Sequence, residues 1–332
     1  MIAELPVDLT CGQAIEAITA VLRAGLEVES CPARGNIPVP AGELLLMPAA
    51  LGGGDAAGGR SGEGGWSGEG GYVGVKIAGV APANPGRGLP RITGSYLLLD
   101  GGTLLPLAVL DGAALTALRT PAVTAVAVDR LAAPGAAHLV IFGAGPQAYG
   151  HLDALCEVRP VERVTVVARR AEPAERLARY ARARGVAAVV GQADAVAGGD
   201  LVVCCTTASE PLFDGDLVPD HAVVAAVGSH SPTGREVDTA LVARAACYVE
   251  ARAVARREAG DLLLAGEVTG PEQWTNLAEL VGSPALVGSP APVGSPAGTV
   301  PDDRPRFFKS VGMAWQDLAV AAELYRRHRV TA

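Results

Sequence analysis

The stretch IFGAGPQAYG, residues 141–150, is an apolar run that leads through closely spaced glycines into a helix-like segment. Gly143 permits a tight turn off a strand, and Gly145 lets the backbone approach a pyrophosphate with no Cβ between them. Ala148 replaces a third glycine and is small enough for a helix to lie close against a sheet. The phosphates would lie on the N–H groups at the helix start, although a glycine turn needed only for packing would read the same. The cofactor-binding residues predicted here are Gly143, Gly145, Pro146, Gln147 and Ala148.

The surrounding pattern favours the cofactor site. Short runs rich in Val, Ile, Leu and Ala occur at residues 138–142, 163–168, 186–190, 200–205 and 222–227. Such runs are typical of strands buried on both faces of a parallel sheet. The amphipathic segment AEPAERLARYARARG between two of them ends at Gly185, where a helix C-cap is expected. This β-α-β alternation predicts an α/β, doubly wound Rossmann domain over residues 126–280.

The chain outside this domain predicts further strands and helices. GYVGVKIAGVAP and ITGSYLLLDGGTLLPLAVLDGAALTALRT predict strands joined by turns at Asp100-Gly101-Gly102 and Asp111-Gly112, followed by a helix. SVGMAWQDLAVAAELYRRH predicts a helix that ends in a cationic turn. We therefore assign residues 1–125 to a first domain and expect the C-terminal helix, within residues 306–332, to return to it.

Two segments have unusual compositions. Residues 51–71 are so rich in glycine that ordering them would cost more backbone entropy than their few apolar groups return, which predicts a long loop. Residues 281–305 include V-G-S-P three times with a period of six. Because proline is excluded from regular strands, we interpret this segment as a linker or surface insertion rather than as a β-helix.

The overall composition excludes several classes of function. The chain has 332 residues with 49% hydrophobic residues, which is enough for two domains with real cores. A net charge of −8, with no basic run longer than an arginine pair, argues against nucleic-acid binding. The N-terminus lacks the basic start of a signal peptide, and no apolar stretch is long enough to span a membrane. We therefore expect a cytoplasmic protein with no membrane partner.

The cysteines and histidines do not indicate a metal site. The six cysteines show no C-x-x-C spacing, and the five histidines form no H-E-x-x-H motif. We expect neither a bound metal nor a disulfide framework, and we interpret the thiols as buried or incidental.

The end of the second Rossmann strand bears on the choice of cofactor. NAD-binding sites usually place an Asp or Glu there, whereas this chain has Arg169 and Arg170. Two guanidinium groups favour the 2′-phosphate of NADP(H). A pair of solvated arginines is the alternative, and the nearby Glu172 keeps NAD(H) open.

The motifs resemble the ornithine cyclodeaminase/mu-crystallin family over most of the chain, from about residue 30 to residue 325. The segments that carry the resemblance are, in order, CPARGNIPVPAGELLLMPA, VGVKIAGVAPANPGRGLPRITGSYLLLD, LTALRTPAVTAVA, IFGAGPQAYGH, AVGSHSPTGREVD, EAGDLLL and FFKSVGMAWQDLAVAAELY. The resemblance implies a homodimer whose substrate and dimerisation domain is split around the Rossmann domain. It also implies hydride exchange at the α-carbon of a small amino or imino acid.

The resemblance assigns the substrate carboxylate to three cations, Arg34, Lys76 and Arg119. A carboxylate entering a partly dry cleft needs fixed cations, and arginine offers a planar two-pronged fit. Lys76 follows the apolar stretch YVGV, so its ammonium would be partly desolvated and available as a carboxylate partner or as a proton donor with a lowered pKa. Taken singly, each of these cations also fits an ordinary surface charge.

The loop GSHSP departs from the family pattern. Ornithine cyclodeaminase and the related alanine dehydrogenase carry an acid/base aspartate where this chain has His230. The imidazole could replace it as proton donor, and a bystander histidine is the alternative.

The carboxyl ends of the predicted strands and the family pattern add further cofactor-binding residues, namely Thr120, Thr206, Thr207, Gly228 and Ser229. Glu258, Gly260 and Asp261 match a family stretch, for which we expect a structural role.

These observations together predict an NAD(P)H-dependent oxidoreductase. Its expected reaction is the reduction of a cyclic ketimine such as pyrroline- or piperideine-2-carboxylate, or the interconversion of a small 2-oxo acid and its amino acid. Three alternatives stay open. They are an ornithine cyclodeaminase with catalytic NAD, a biosynthetic enzyme that uses the same redox chemistry on a larger substrate, and a crystallin-like protein that binds NADPH and a ligand.

Overall fold

The chain forms two compact units. The computed structural model describes residues 2–52, 71–282 and 303–330. The first unit combines Met1–Arg119 with Met313–Ala332, and the second is the continuous segment Thr120–Gly312. One unit is thus built from both ends of the chain, which agrees with the split domain that the resemblance implies.

Most of each low-complexity segment lies outside the described residues. Residues 53–70 of the predicted glycine-rich loop and residues 283–302 of the predicted insertion lie outside the described residues. Among the residues that the structure does describe, no helix combines the length and the apolar character that a membrane span requires.

The first unit contains an antiparallel sheet with one added parallel strand. The strands lie in the order β1-β6-β5-β4-β3-β2, and β1 runs parallel to β6. They are β1 (Ala3–Leu5), β2 (Gly35–Val39), β3 (Gly42–Leu51), β4 (Tyr72–Val80), β5 (Ile92–Asp100) and β6 (Pro106–Asp111). The helices of this unit are α1 (Cys11–Arg23), the first part of α2 (Gly112–Leu131) and α9 (Ala314–Val330).

One face of this sheet is covered and the other is open. Alternate residues of β4, including Gly74, Lys76 and Ala78, are buried, and α9 packs on β3 and β4. The opposite face carries apolar side chains that stay partly exposed, among them Leu46 and Ile77, which are register partners on β3 and β4. The period-two pattern of these strands therefore places both a buried lysine and an exposed apolar surface on the same sheet.

Helix α1 was not predicted, although its start has a clear local signal. Thr10 and Gln13 form a capping box in which each side chain accepts a hydrogen bond from the other residue's backbone N–H. Asp111 has a similar role at α2, since its Oδ1 accepts from the N–H groups of Ala113 and Ala114. The predicted turn at Asp111-Gly112 is therefore the junction between β6 and α2.

The second unit confirms the predicted Rossmann sheet. Its strands are all parallel, in the order β13-β12-β14-β11-β10-β7-β8-β9. They are β7 (His138–Phe142), β8 (Arg163–Val167), β9 (Ala187–Val190), β10 (Leu201–Cys204), β11 (Val223–Ala226), β12 (Ala246–Val249), β13 (Thr275–Asn276) and β14 (Arg306–Lys309). The remaining helices are α3 (Pro146–Val158), α4 (Ala171–Ala183), α5 (Thr239–Arg244), α6 (Arg252–Glu258), α7 (Gly260–Leu263) and α8 (Leu277–Gly282).

The strand order identifies the edge where a ligand binds. From β7 the chain proceeds outward to β8 and β9, and then returns to the other side of β7 for β10 and β11. In such sheets, ligands bind beyond the carboxyl ends of the strands at the point where the order reverses. The glycine turn that follows β7 lies at this point.

The C-terminal boundary of the Rossmann domain differs from the prediction. Strand β14 lies between β11 and β12, so Arg306–Lys309 belongs to the second unit and not to the returning segment 306–332. The physical reason is that this four-residue strand is buried throughout and only residues 310–313 separate it from α9. A run this short has no periodicity that separates it from the apolar helix after it.

Candidate active site

In the first unit, a carboxylate lies between two of the predicted carboxylate-binding cations. The Lys76 ammonium donates to Asp317 Oδ1 at 2.9 Å, to Asp317 Oδ2 at 2.8 Å and to Thr116 Oγ1 at 3.0 Å. Arg119 donates from Nε to Asp317 Oδ1 at 3.3 Å and from Nη1 to Gln316 Oε1 at 2.7 Å. Lys76 is 3% exposed, Arg119 5% and Asp317 0%, so the ion pairs are almost completely removed from water.

Three elements bring these side chains together. Lys76 lies on the buried face of β4, Arg119 lies on α2, and Gln316 and Asp317 lie in the first turn of α9. A carboxylate in the first turn of a helix is stabilised by the unpaired N–H groups there. Gln316 is fixed in the same turn, since its Oε1 also accepts from the Met313 N–H at 3.1 Å. The start of α9 therefore presents an anion and an amide to the two cations.

The environment changes the acidity of Lys76. Burial, together with the positive charges of Arg119 and Arg34, lowers the pKa of Lys76 to about 8, against the opposing effect of Asp317. This ammonium can therefore lose its proton nearer neutral pH than an ordinary lysine. Arg34 is half-buried just before β2, and its effect on Lys76 places all three predicted cations in one cluster of the first unit.

Arg119 keeps hydrogen-bonding capacity for a ligand. A guanidinium carries five N–H donors, and among the described residues only Asp317 and Gln316 accept from Arg119. A buried cation with unused donors is suited to a carboxylate, which would accept two parallel hydrogen bonds from it. Arg119 therefore has donors left for an anion, and its binding of the substrate carboxylate, which the resemblance implies, stays a prediction.

A buried tyrosine lies beside Lys76 on the neighbouring strand. Tyr96 on β5 is the register partner of Lys76 and is 0% exposed. Its side chain lies against Gly74, where an added Cβ would come within 2.1 Å of the Tyr96 hydroxyl oxygen. Within the described part of the chain this hydroxyl makes no hydrogen bond. Burial, and secondarily the charge of Asp317, raises the pKa of Tyr96 well above its ordinary value.

In the second unit, the glycine turn has the shape of a phosphate cradle. Gly143 has φ +106°, and an added Cβ there would come within 2.6 Å of the Cys205 carbonyl oxygen, so only glycine fits. Gly145 is the N-cap of α3 and faces open space, with no atom within 4 Å of a Cβ placed there. Pro146 occupies the first turn of α3, and Ala148 is fully buried. The open side and the helix start fit the pyrophosphate of a dinucleotide.

The strand ends beside this turn are joined by a buried carboxylate, Glu236. Its Oε1 accepts from the Thr206 N–H at 2.8 Å and from the Thr206 hydroxyl at 2.7 Å. Its Oε2 accepts from the Gly228 N–H at 2.7 Å. Burial raises the pKa of Glu236, while Lys309 and these hydrogen bonds oppose that effect. Glu236 thus holds two of the predicted cofactor-binding residues in place.

Lys309, on β14, completes this network. Its ammonium lies 2.7 Å from Asp261 Oδ2 and donates to the Ser229 carbonyl oxygen at 2.8 Å. Asp261 Oδ1 in turn accepts from the Glu236 and Val237 N–H groups at 2.6 and 3.0 Å. Asp261 therefore has a structural position, as we expected for its family stretch.

The remaining predicted residues lie at the surface or inside helices. Thr207 and His230 are exposed in the loops after β10 and β11, and Arg169 and Arg170 are exposed after β8. Glu172, which kept the choice of cofactor open, forms an ion pair with Arg176 one turn further along α4. Thr120 is buried in α2, and its carbonyl oxygen accepts from the Thr124 hydroxyl.

Sequence reasoning missed Asp317, Gln316, Glu236 and Lys309. Two signals were available. Gln316 and Asp317 form a polar pair in the otherwise apolar first half of a helix, residues 314–322, and Lys309 is one of only two lysines in the chain, the other being Lys76. A buried polar residue in such a setting needs a partner, which is a reason to look for one. Within the described residues, no cluster of metal-ligating side chains is present.

Comparison with known proteins gives a consistent assignment. The model of the ornithine cyclodeaminase/mu-crystallin family matches residues 66–331. Ketimine reductase mu-crystallin from Mus musculus is 34% identical over 237 residues, which cover 71% of this chain and 70% of the mouse protein.

Two solved structures are similar over nearly the whole chain. Thermococcus litoralis Δ1-pyrroline-2-carboxylate reductase, in complex with NADH and L-proline, has a TM-score of 0.82 and 27% identity, covering 97% of this chain and 94% of its own. An archaeal alanine dehydrogenase dimer with bound NAD has a TM-score of 0.85 and 25% identity, covering 99% and 97%. Together with the family match, these similarities show that the chain belongs to the ornithine cyclodeaminase/mu-crystallin family.

Proposed function

We propose that this protein is an NAD(P)H-dependent reductase of a cyclic ketimine acid such as pyrroline-2-carboxylate or piperideine-2-carboxylate. The observation that carries the proposal is the buried cation cluster around Arg119, whose unused donors suit a small carboxylate. The mouse relative is named as a ketimine reductase and the Thermococcus relative as a Δ1-pyrroline-2-carboxylate reductase, and both names support this reaction.

The side chains divide the work of such a reduction. Arg119, together with Arg34, binds and orients the substrate carboxylate through charge-assisted hydrogen bonds. When bound, the reduced nicotinamide supplies the hydride that adds to the α-carbon. The ring nitrogen then takes one proton, for which Lys76, His230 and a held water are the candidate sources. Among the two side chains, Lys76 has the buried position and the lowered pKa that suit a proton donor near neutral pH.

We further propose that NADP(H) is preferred over NAD(H). Arg169 and Arg170 follow β8, where the adenosine ribose binds in Rossmann domains, and no hydrogen bond or ion pair engages either guanidinium within the described residues. Glu172 is the nearest carboxylate along the chain, and its ion pair with Arg176 draws it away from this role. Two exposed guanidiniums suit a 2′-phosphate better than a ribose hydroxyl.

The open face of the antiparallel sheet supports a homodimer. Ile37, Val39 and Ile77 are 44%, 39% and 46% exposed on that face, beside the half-exposed Leu44 and Leu46. A contiguous apolar surface of this kind marks an interaction site. The archaeal alanine dehydrogenase, which is described as a dimer, supports a second copy of this chain as the partner.

A direct assay tests the proposed reaction. The purified protein is mixed with NADPH, and separately with NADH, plus pyrroline-2-carboxylate or piperideine-2-carboxylate, and absorbance is followed at 340 nm. We expect rapid consumption of NADPH and a loss of at least about a hundredfold in kcat/KM for Arg119→Gln, since two charge-assisted hydrogen bonds of about 1.5 kcal/mol or more each are removed. Arg87→Gln, at an exposed site in the same unit, is the matched control and should keep full activity.

Two results would replace the proposal. Release of ammonia from ornithine with steady absorbance would identify a cyclodeaminase that recycles its cofactor. Tight NADPH binding with no turnover of either imine would identify a binding protein.

A further inference from the structure

Asp317 touches two of the three cations of the cluster, Lys76 and Arg119. Its Oδ1 accepts from Lys76 and from Arg119 Nε, and its Oδ2 accepts from Lys76. A carboxylate that is 0% exposed must be neutralised by its neighbours, and the two cations do so. The same contacts also fix how each cation is oriented.

Lys76 and Arg119 differ in how many N–H donors they have left for a ligand. Lys76 has three N–H donors, and they are directed at Thr116 Oγ1 and at the two Asp317 oxygens. The Thr116 hydroxyl itself donates to the Gly112 carbonyl oxygen at 2.8 Å, so towards Lys76 it can only accept. Arg119 retains unused donors. Asp317 and Thr116 therefore use all three donors of Lys76, whereas Arg119 keeps donors that an external carboxylate can use.

The composition of the chain supports a special role for this lysine. Of its 27 basic residues, 25 are arginines and only Lys76 and Lys309 are lysines, and both of these are buried. Arginine is always protonated in proteins, whereas a buried lysine readily shifts its pKa and can release a proton. A chain that uses arginine at every exposed basic position has a lysine at the one position of the carboxylate site where proton release is useful.

We propose that Asp317 is a positioning residue, which holds Lys76 as the proton donor and directs Arg119 toward the substrate carboxylate. This inference rests on the proposed reductase function. In the proton-transfer step, one of the two Lys76 bonds to Asp317 is released and that N–H turns to the substrate nitrogen. The hydride forms the new C–H bond, the electron pair of the C=N bond takes the proton from Lys76, and the neutral amine regains a proton from solvent.

The charges around Lys76 define the role of Asp317. The groups that face the ammonium are Asp317 from α9, Arg119 from α2, Arg34 from the segment before β2 and Tyr96 from β5. The two guanidiniums disfavour the charged lysine, and Asp317 is the carboxylate that favours it. Without Asp317 the ammonium would face two cations, and it would lose its proton at lower pH. Because the donor must be protonated, activity is full below the pKa of Lys76 and is lost as the pH rises through it.

The presence of only two lysines allows a direct measurement. In protein labelled with ¹³C at the lysine ε-carbon, two signals are expected, and Lys76→Met identifies the one from Lys76. In the wild type this signal should titrate with a pKa near about 8. In Asp317→Asn, which keeps the shape and removes the charge, the titration midpoint should fall by about one pH unit or more. Asp8→Asn, an exposed carboxylate in the same unit, is the control and should leave the midpoint unchanged.

The pH profile of kcat gives the matching kinetic test. The alkaline limb should move to lower pH in Asp317→Asn by the same amount as the lysine signal. At pH 9, a limb that lies one pH unit lower means about a tenfold loss of rate relative to the wild type. Asp317→Glu keeps the charge but misplaces it, so it should lower kcat and leave the alkaline limb in place. A purely structural aspartate would lower kcat at every pH and would not move this limb.

A charge-balanced variant guards against a folding failure. Asp317→Asn leaves the buried Lys76 and Arg119 without an anion, whereas Lys76→Met/Asp317→Asn keeps the net charge of the cluster. If Asp317 acts on proton transfer through Lys76, the kcat of this double variant should be no lower than that of Lys76→Met alone, whereas the loss of its contact with Arg119 should raise KM. Independent, multiplying losses would overturn the proposal, and so would an unshifted lysine signal in an active reductase. A shifted signal in a protein that reduces neither imine would instead overturn the proposed reaction together with the proton-donor role.

Discussion

Replacing Lys309 with methionine should expose how strongly the second unit depends on its buried charges. The ammonium lies 2.7 Å from Asp261, and both side chains are 0% exposed. Glu236 is also 0% exposed and is stabilised by the same positive charge. Lys309→Met therefore leaves two carboxylates in the interior without a cation.

The expected magnitude follows from this geometry. Breaking a buried ion pair by removing one partner costs about 3–5 kcal/mol of stability. For a unit of this size each kcal/mol lowers the melting temperature by about 2–4 °C, so the variant should unfold about 6–20 °C below the wild type. Arg304→Met, which removes an exposed arginine just before β14, should leave the melting temperature unchanged.

The deficit should also depend on pH. Burial already raises the pKa of Glu236, and the loss of Lys309 raises it further, so folded Glu236 binds a proton more tightly than unfolded Glu236. Its protonation therefore favours the folded state as the pH falls, and the deficit of Lys309→Met should be smaller in a measurement at about pH 5 than in one at about pH 7.5. Thermal unfolding followed by circular dichroism measures this. A melting temperature close to that of the wild type, or an equal deficit at both pH values, would refute the reasoning.

Two further predictions concern the cofactor and the assembly. Replacing Arg169 and Arg170 with alanine should raise the KM for NADPH at least about tenfold and leave the KM for NADH within about twofold, because only the 2′-phosphate loses its charge-assisted hydrogen bonds. Equal changes in KM for both cofactors would contradict the proposed NADP(H) preference. Ile77→Asp places a charge on the open apolar face and should convert a dimer into a monomer, as measured by light scattering. The control Arg91→Asp, at an exposed position outside the strands, should stay dimeric, and a wild-type protein that is monomeric would contradict the proposed interface.

The Rossmann unit was predictable because its information is local. A strand buried on both faces of a parallel sheet appears in the sequence as a short apolar run, and the predicted run at residues 138–142 coincides with β7. Gly143 and Gly185 have positive φ, a conformation that favours glycine, so the residue type alone indicates the turn. The strand β14 was missed because four buried residues beside an apolar helix have no period of their own.

The partners within the site were not predictable in the same way. Lys76 and Asp317 lie 241 positions apart and meet because β4 and α9 pack on each other. The resemblance supplied the three cations one by one, but it did not indicate that a carboxylate lies between them. Spacing along the chain does not predict such a pairing, whereas a charge in the otherwise apolar first half of α9 must be neutralised when it is buried and so indicates that a partner exists.

The two lysines of the chain differ in the charges that surround them. Lys309 faces Asp261 and Glu236, so two carboxylates surround one ammonium, and the charge of the lysine holds together the loops that contain Thr206 and Ser229. Lys76 faces one carboxylate and two guanidiniums, so the surplus charge around it is positive and favours release of its proton. An excess of cations around a buried ammonium lowers its pKa and makes it a stronger acid, as at Lys76. The same residue type in a buried pair with aspartate therefore supports the cofactor loops in one unit and is suited to the chemistry in the other.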